Sequence, residues 1–145
     1  MLVAVVGWVS THPDALPTTN ATVQAKTPVG EPVYVGVFGT PADFGRTLHL
    51  SGVRVFATAG ADVTIVAHVC HGGSVHVTST PETFCSALGP TEGATLRGGD
   101  EIVLEVVGAV PTAVRIDRVR IAYREGMQWA TQDAGAPSQV SILAR

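Results

Sequence analysis

The chain has 145 residues and a net charge of −3, with 46% apolar and only 14% charged residues. A single domain of this length can close one core, and so much apolar content at so little charge excludes a disordered chain. Nine basic residues against twelve acidic ones leave no basic excess, so no nucleic-acid partner is expected. The apolar residues are chiefly Val and Ala, and sixteen Gly and nine Pro punctuate the chain. Val and Thr are stiff at χ1 and suit a pleated surface, so the composition predicts an all-β domain.

Residues 1–9, "MLVAVVGWV", are a continuous apolar run. They are too short to span a bilayer, which takes about 20 residues. They also lack the basic start and small-residue cleavage site of a signal peptide. Two readings remain: a first β-strand, or the outer end of a membrane anchor whose earlier residues are missing from this chain, with Trp8 at the interface. The anchor is preferred. Residues 10–21 read as a Pro-containing linker with no periodicity to pack. Their Asn20-Ala-Thr sequence matches a glycosylation sequon, a pattern common by chance. The domain proper is expected over 22–145.

Within it, short alternating runs recur between turn signals. Runs at 22–26 and 32–38 are separated by Pro28 and Gly30. Runs at 47–50 and 53–57 are out of phase, and a bulge or tight turn at Gly52 restores the alternation. The run 62–70 places Val63, Ile65, Ala67 and Val69 on one face, and 74–79 follows it. Thr80, Pro81, Glu82 and Gly89 carry the start and stop signals of one short helix near 81–88. Ile102, Leu104 and Val106 point inward from 100–108. The stretch 113–126 reads as one long strand with a bulge near Asp117-Arg118, and 138–143 closes the domain. Eight or nine strands with one short helix predict a two-sheet antiparallel β-sandwich, Ig-like, with a closed barrel second.

The segment "HVCHGGSVH" (68–76) concentrates histidine and cysteine. If 62–70 and 74–79 form a hairpin, a three-residue loop gathers all their apolar residues on one face. That register sets His68 across from His76. Cross-strand imidazoles lie close enough to share copper or zinc, with His71 or Cys70 as further ligands. No metal-motif spacing supports this, however. The preferred reading uses the only two cysteines, Cys70 and Cys85, in a disulfide that pins the helix over the outer face of the hairpin.

Elsewhere the signals are weaker. Glu101 and Glu105 are expected on one outward strand face and Arg118, Arg120 and Arg124 on another; if those strands are neighbours they form a solvated charge ladder. The bulge could turn Asp117 inward toward Arg54 or Arg118, where a buried ion pair is preferred to a catalytic acid. Tyr123 and Trp129 could hold a sugar or peptide if exposed, although a core or rim plug is preferred for Trp129. No nucleophile elbow, phosphate loop or calcium loop is present, so neither enzymatic activity nor a cofactor is expected.

The run "IDRVRIAYREGMQWATQDAG" after "GGDEIVLEV", with Cys70 and Cys85 flanking "TSTPETF", resembles uncharacterised membrane-anchored β-sandwich proteins of the bacterial cell envelope. The likeness covers roughly residues 28–145. It implies an extracytoplasmic domain, membrane-anchored or secreted. The expected role is that of a monomeric interaction or accessory domain with a protein or cell-envelope partner. The alternative is a small-ligand or metal-binding envelope protein using His68 and His76.

Overall fold

The computed structural model describes residues 13–145, so the expected anchor or first strand at 1–9 lies outside the described residues. In chain order the strands are β1 (Val23–Pro28), β2 (Val33–Gly39), β3 (Leu48–Arg54), β4 (Ala57–Ala59), β5 (Val63–His71) and β6 (Val77–Thr78). They continue with β7 (Ala87–Pro90), β8 (Thr95–Leu96), β9 (Glu101–Gly108), β10 (Thr112–Ile116), β11 (Val119–Glu125), β12 (Gln128–Ala134) and β13 (Ser138–Leu143). The domain is all-β. Where two sheets are expected, hydrogen bonding among the described residues gives three, ordered β1-β13-β10-β4, β12-β11-β3-β8 and β6-β2-β9-β5-β7. Among the described residues, pairing between named strands is antiparallel except between β1 and β13, which run parallel.

The alternation read from the sequence decides which face of each strand is buried. Val114 and Ile116, Leu48 and Leu50, Ile121 and Tyr123, Val33 and Val35, and Ile102, Leu104 and Val106 all enter one core shared by the three sheets. The phase break in β3 is a bulge beside Gly52. Ala122 pairs with Gly52 while Tyr123 pairs with Leu50, leaving Ser51 unopposed. A second bulge leaves Val37 of β2 unopposed by β9.

The break near Asp117-Arg118 has a different outcome. No single bulged strand forms there, because β10 and β11 belong to different sheets. The chain crosses between them beside the equivalent crossing from β3 to β4, with Asp117 N–H donating to Phe56 O at 2.9 Å. Asp117 is therefore exposed, not turned inward. Arg118 reaches instead to Thr19 O and to Asn20 Oδ1, each at 2.7 Å.

Two further expectations are corrected. The segment expected as a helix near 81–88 is a single 3-10 turn over Pro81–Thr83, followed by β7. Cys85 and the strand pairing of Ala87 hold the backbone to the sheet, so the helical start signal is not propagated. The linker 10–21 also packs in part. Leu16 is buried in the core, and Thr18 bridges Gly135 in parallel.

Candidate functional site

Strand β9 is buried on both faces, which sets it apart from its neighbours. One face meets the shared core. Over the other lies a flap, residues 72–86, that runs from the end of β5 to the start of β7. The flap is fastened by the Cys70–Cys85 disulfide, with Cα atoms 5.3 Å apart. Cys70, Cys85, Val75 and Val103 form a second, smaller cluster against Tyr34 and Leu88.

This arrangement replaces the expected hairpin. β5 pairs with β9 and β7, whereas β6 pairs with β2 on the opposite side of β9. His68 lies opposite Val103 and Pro90, so it is not the cross-strand neighbour of His76. Burying Val75 against Val103 under the flap outweighs the local apolar match that the hairpin would have offered.

Under the flap sits a carboxylate that the alternation places on an outward face. Glu101 is only 5% exposed. Its Oε1 accepts from Val75 N–H at 2.8 Å, and its Oε2 accepts from the Ser74 hydroxyl at 3.0 Å. A Cβ on Gly36 would meet this carboxyl at 2.5 Å, so the side chain occupies the space that glycine leaves. A glycine inside a strand is the one sequence signal for such a close approach. Neighbouring Asp100 takes Gly72 N–H at 3.0 Å and Arg97 N–H at 2.9 Å. Both acidic side chains thus hold backbone donors of loops, a structural use.

The histidines do not converge. His68 Nε2 lies 2.8 Å from Glu105 Oε1, and its ring centroid is 6.1 Å from that of Tyr34. Partial burial raises the Tyr34 phenol above its ordinary pKa, and the Glu105 and Glu82 carboxylates add to the effect. His71 Nδ1 stands 3.7 Å from Asp100 Oδ2. His76 is exposed and adopts φ +52, the left-handed region, with its carbonyl accepting from Gly36 N–H at 2.7 Å. Among the described residues no group of three His, Cys, Asp or Glu is placed to hold a metal ion. The Arg and Glu ladder is likewise not formed, since β9 and β11 lie in different sheets.

The two aromatic candidates separate to opposite faces of the β11–β12 pair. Tyr123 is 1% exposed and belongs to the core, whereas Trp129 is 68% exposed. The expectation of Trp129 as a core or rim plug is thereby corrected: its partner across the pair is Arg124, on the solvent face. Between these extremes, a groove of about 380 Å³ crosses the solvent face of β3 and β11. Gly52, Ala122 and Thr131 line it together with the charged Arg54, Arg120 and Glu92. Arg54 and Arg120 are directly paired across the two strands. Arg120 has Asp133 at 3.6 Å, and no ion pair among the described residues involves Arg54.

The Tyr123 hydroxyl is buried without a hydrogen-bond partner. Arg46 is near enough to favour its anion, but that guanidinium is committed to Glu125, whose hydrogen bond holds it charged. Burial dominates and raises the Tyr123 phenol above its ordinary pKa. A phenol raised on folding contributes stability below its unfolded pKa of about 10, and that stability is lost as pH climbs through the higher folded value. Tyr123→Phe is therefore expected to be neutral or stabilising by about 1 kcal/mol at pH 7. It should also reduce the loss of stability above pH 10, as urea denaturation across pH would record. A large destabilisation at pH 7 would mean that the hydroxyl is bonded.

No family model matches the chain, and no curated protein matches it. Among the described residues, no helix is long and apolar enough to cross a membrane. The disulfide is of the kind that persists in oxidising compartments outside the cytoplasm.

Proposed function

We propose that the protein is a non-enzymatic interaction domain of the cell envelope, held outside the cytoplasm at a membrane through residues 1–9. In this reading it is an Ig-like β-sandwich, with the five-stranded sheet packed against a layer made by the two four-stranded ones. The observation that carries the functional part is the groove over β3 and β11, where Arg54 stands beside Arg120. Like charges directly opposite on a sheet are unfavourable, and an anionic group of a partner laid between them would relieve that repulsion. The groups that catalysis would need are otherwise employed: Glu101 and Asp100 hold loops, and His68 is bonded to Glu105. A metal-binding role is not favoured, because His68 and His76 lie on separately paired strands or loops.

A photo-cross-linking residue at Thr131, in the groove, tests this reading in intact cells, with one at Thr64 on the other sheet as control. A defined adduct is expected from Thr131 alone, abolished by Arg54→Glu, with both cysteines oxidised when cells are lysed under thiol-blocking conditions. Equal adducts at both positions, or free thiols, would count against it.

A further inference from the structure

At one end of the β12-β11-β3-β8 sheet two large apolar side chains stand in solvent. Met127 is 93% exposed and Trp129 is 68% exposed, and neither belongs to a core cluster. They sit on the β11–β12 hairpin. Glu125 pairs with Gln128 across the two-residue turn Gly126-Met127, and Gly126 takes φ +61 at the first turn position, where glycine is favoured. Arg124 Nη1 donates to Gly126 O at 2.6 Å, which braces the turn. The tip is therefore a stiffened protrusion that presents a thioether and an indole beside a guanidinium.

The same end of the sheet is where the chain enters the domain. Arg46 Nη2 donates to Asp14 O at 2.9 Å and to Glu125 Oε1 at 2.7 Å. Arg46 Nη1 adds a bond to Ala15 O at 3.3 Å, and Leu16 N–H donates to Gln132 Oε1 of β12 at 2.8 Å. One arginine thus ties the entering chain to the last residue of β11, next to the exposed turn. From Val9, where the apolar run ends, to Asp14 is five residue steps. Fully extended, they reach at most about 18 Å.

We propose that the hairpin tip, through Met127 and Trp129, inserts into the headgroup region of the membrane that holds residues 1–9, so that the domain is docked on the bilayer. The proposal rests on the anchored reading given above. A lipid surface fits the chemistry of the tip. Tryptophan concentrates at the boundary between hydrocarbon and headgroups, and Arg124 stands where lipid phosphates would lie. The short tether keeps the tip within reach of the same bilayer, so insertion needs no second encounter. Two contacts in tandem, one apolar run and one interfacial tip, hold more firmly than either alone.

The full chain carrying Trp8→Phe leaves Trp129 as the sole tryptophan. With vesicles of equal parts phosphatidylcholine and phosphatidylglycerol, Trp129 emission is expected to shift to shorter wavelength and to be quenched by lipids brominated near the headgroup. In the wild-type chain, Met127→Ser combined with Trp129→Ser should weaken partition into the vesicles about tenfold. Phe84→Ser, which removes an exposed apolar side chain from the flap over the other sheet, should leave partition unchanged. Vesicle binding with Trp129 emission unmoved would overturn the docked tip while keeping the anchor. Absence of any vesicle binding would overturn both, and an equal loss in the Phe84 variant would show that the tip has no special part.

Discussion

Removing the Cys70–Cys85 bond, by a dithiol or by the double substitution Cys70→Ala with Cys85→Ala, is expected to lower stability by about 3 kcal/mol. The bond closes a loop with a sequence separation of 15. Constraining a loop of that length in the unfolded chain stabilises a fold by about that amount in the chain-entropy model. For a domain of this size it corresponds to a fall in Tm of about 10 °C. The loss should also be uneven. Val75 and Val103 pack with the two cysteines in a cluster separate from the core that contains Leu48, Leu104 and Ile121. The flap also leans on the buried Glu101 carboxylate, which binds Ser74 and Val75 N–H. With the bond gone, that carboxylate has easier access to water, so the flap should open before the main core melts. Amide exchange should accelerate over residues 72–86 while β11 stays protected. An unchanged Tm, or a uniform loss of protection across β11 and the flap, would show that the flap is not a separable unit.

Gly135→Ala is expected to cost about 4 kcal/mol, against about 1 kcal/mol for Gly126→Ala. Both glycines occupy the left-handed region, Gly135 at φ +74 and Gly126 at φ +61. A side chain pays the same conformational penalty at either site, roughly 1–2 kcal/mol. The surroundings differ. Nothing lies within 4 Å of a Cβ built on Gly126, whereas a Cβ on Gly135 would overlap the Val37 carbonyl oxygen and lie 3.0 Å from Phe38 Cβ. Three segments meet at that corner. Gly135 N–H donates to Pro17 O at 2.9 Å and Thr19 N–H donates to Gly135 O at 3.0 Å, while Ala136 N–H donates to Val37 O at 2.9 Å. Neither backbone can retreat without breaking these bonds, so overpacking adds a further 1–3 kcal/mol or so. Urea denaturation of the two variants side by side measures the difference. Equal costs would mean that the bulge at Val37 yields to the new side chain.

Much of the domain is legible in the sequence alone. The pairing of the only two cysteines followed from their number, and the inward sets of β5 and β9 followed from alternation with period two, because successive side chains must point to opposite faces. The bulge beside Gly52 followed from the same rule, since two out-of-phase runs cannot share a face without an extra residue. Alternation says which face of a strand is buried, but not which strand lies beside it or what covers its far face. The hairpin of 62–70 with 74–79 was the locally favoured answer, because consecutive strands usually pair. Tertiary structure chose β9 and β7 as the neighbours of β5 and spent residues 72–76 on the flap. Glu101 follows from that choice, being an outward residue by pattern that was buried once the flap closed over it. At Asp117-Arg118 a phase break became a change of sheet for the same reason. Trp129 and Tyr123 were both ligand-contact candidates in sequence, with a core or rim plug preferred for Trp129. One was drawn into the core and the other left in solvent by the register of β11 on β12, which is decided by partners distant in the chain.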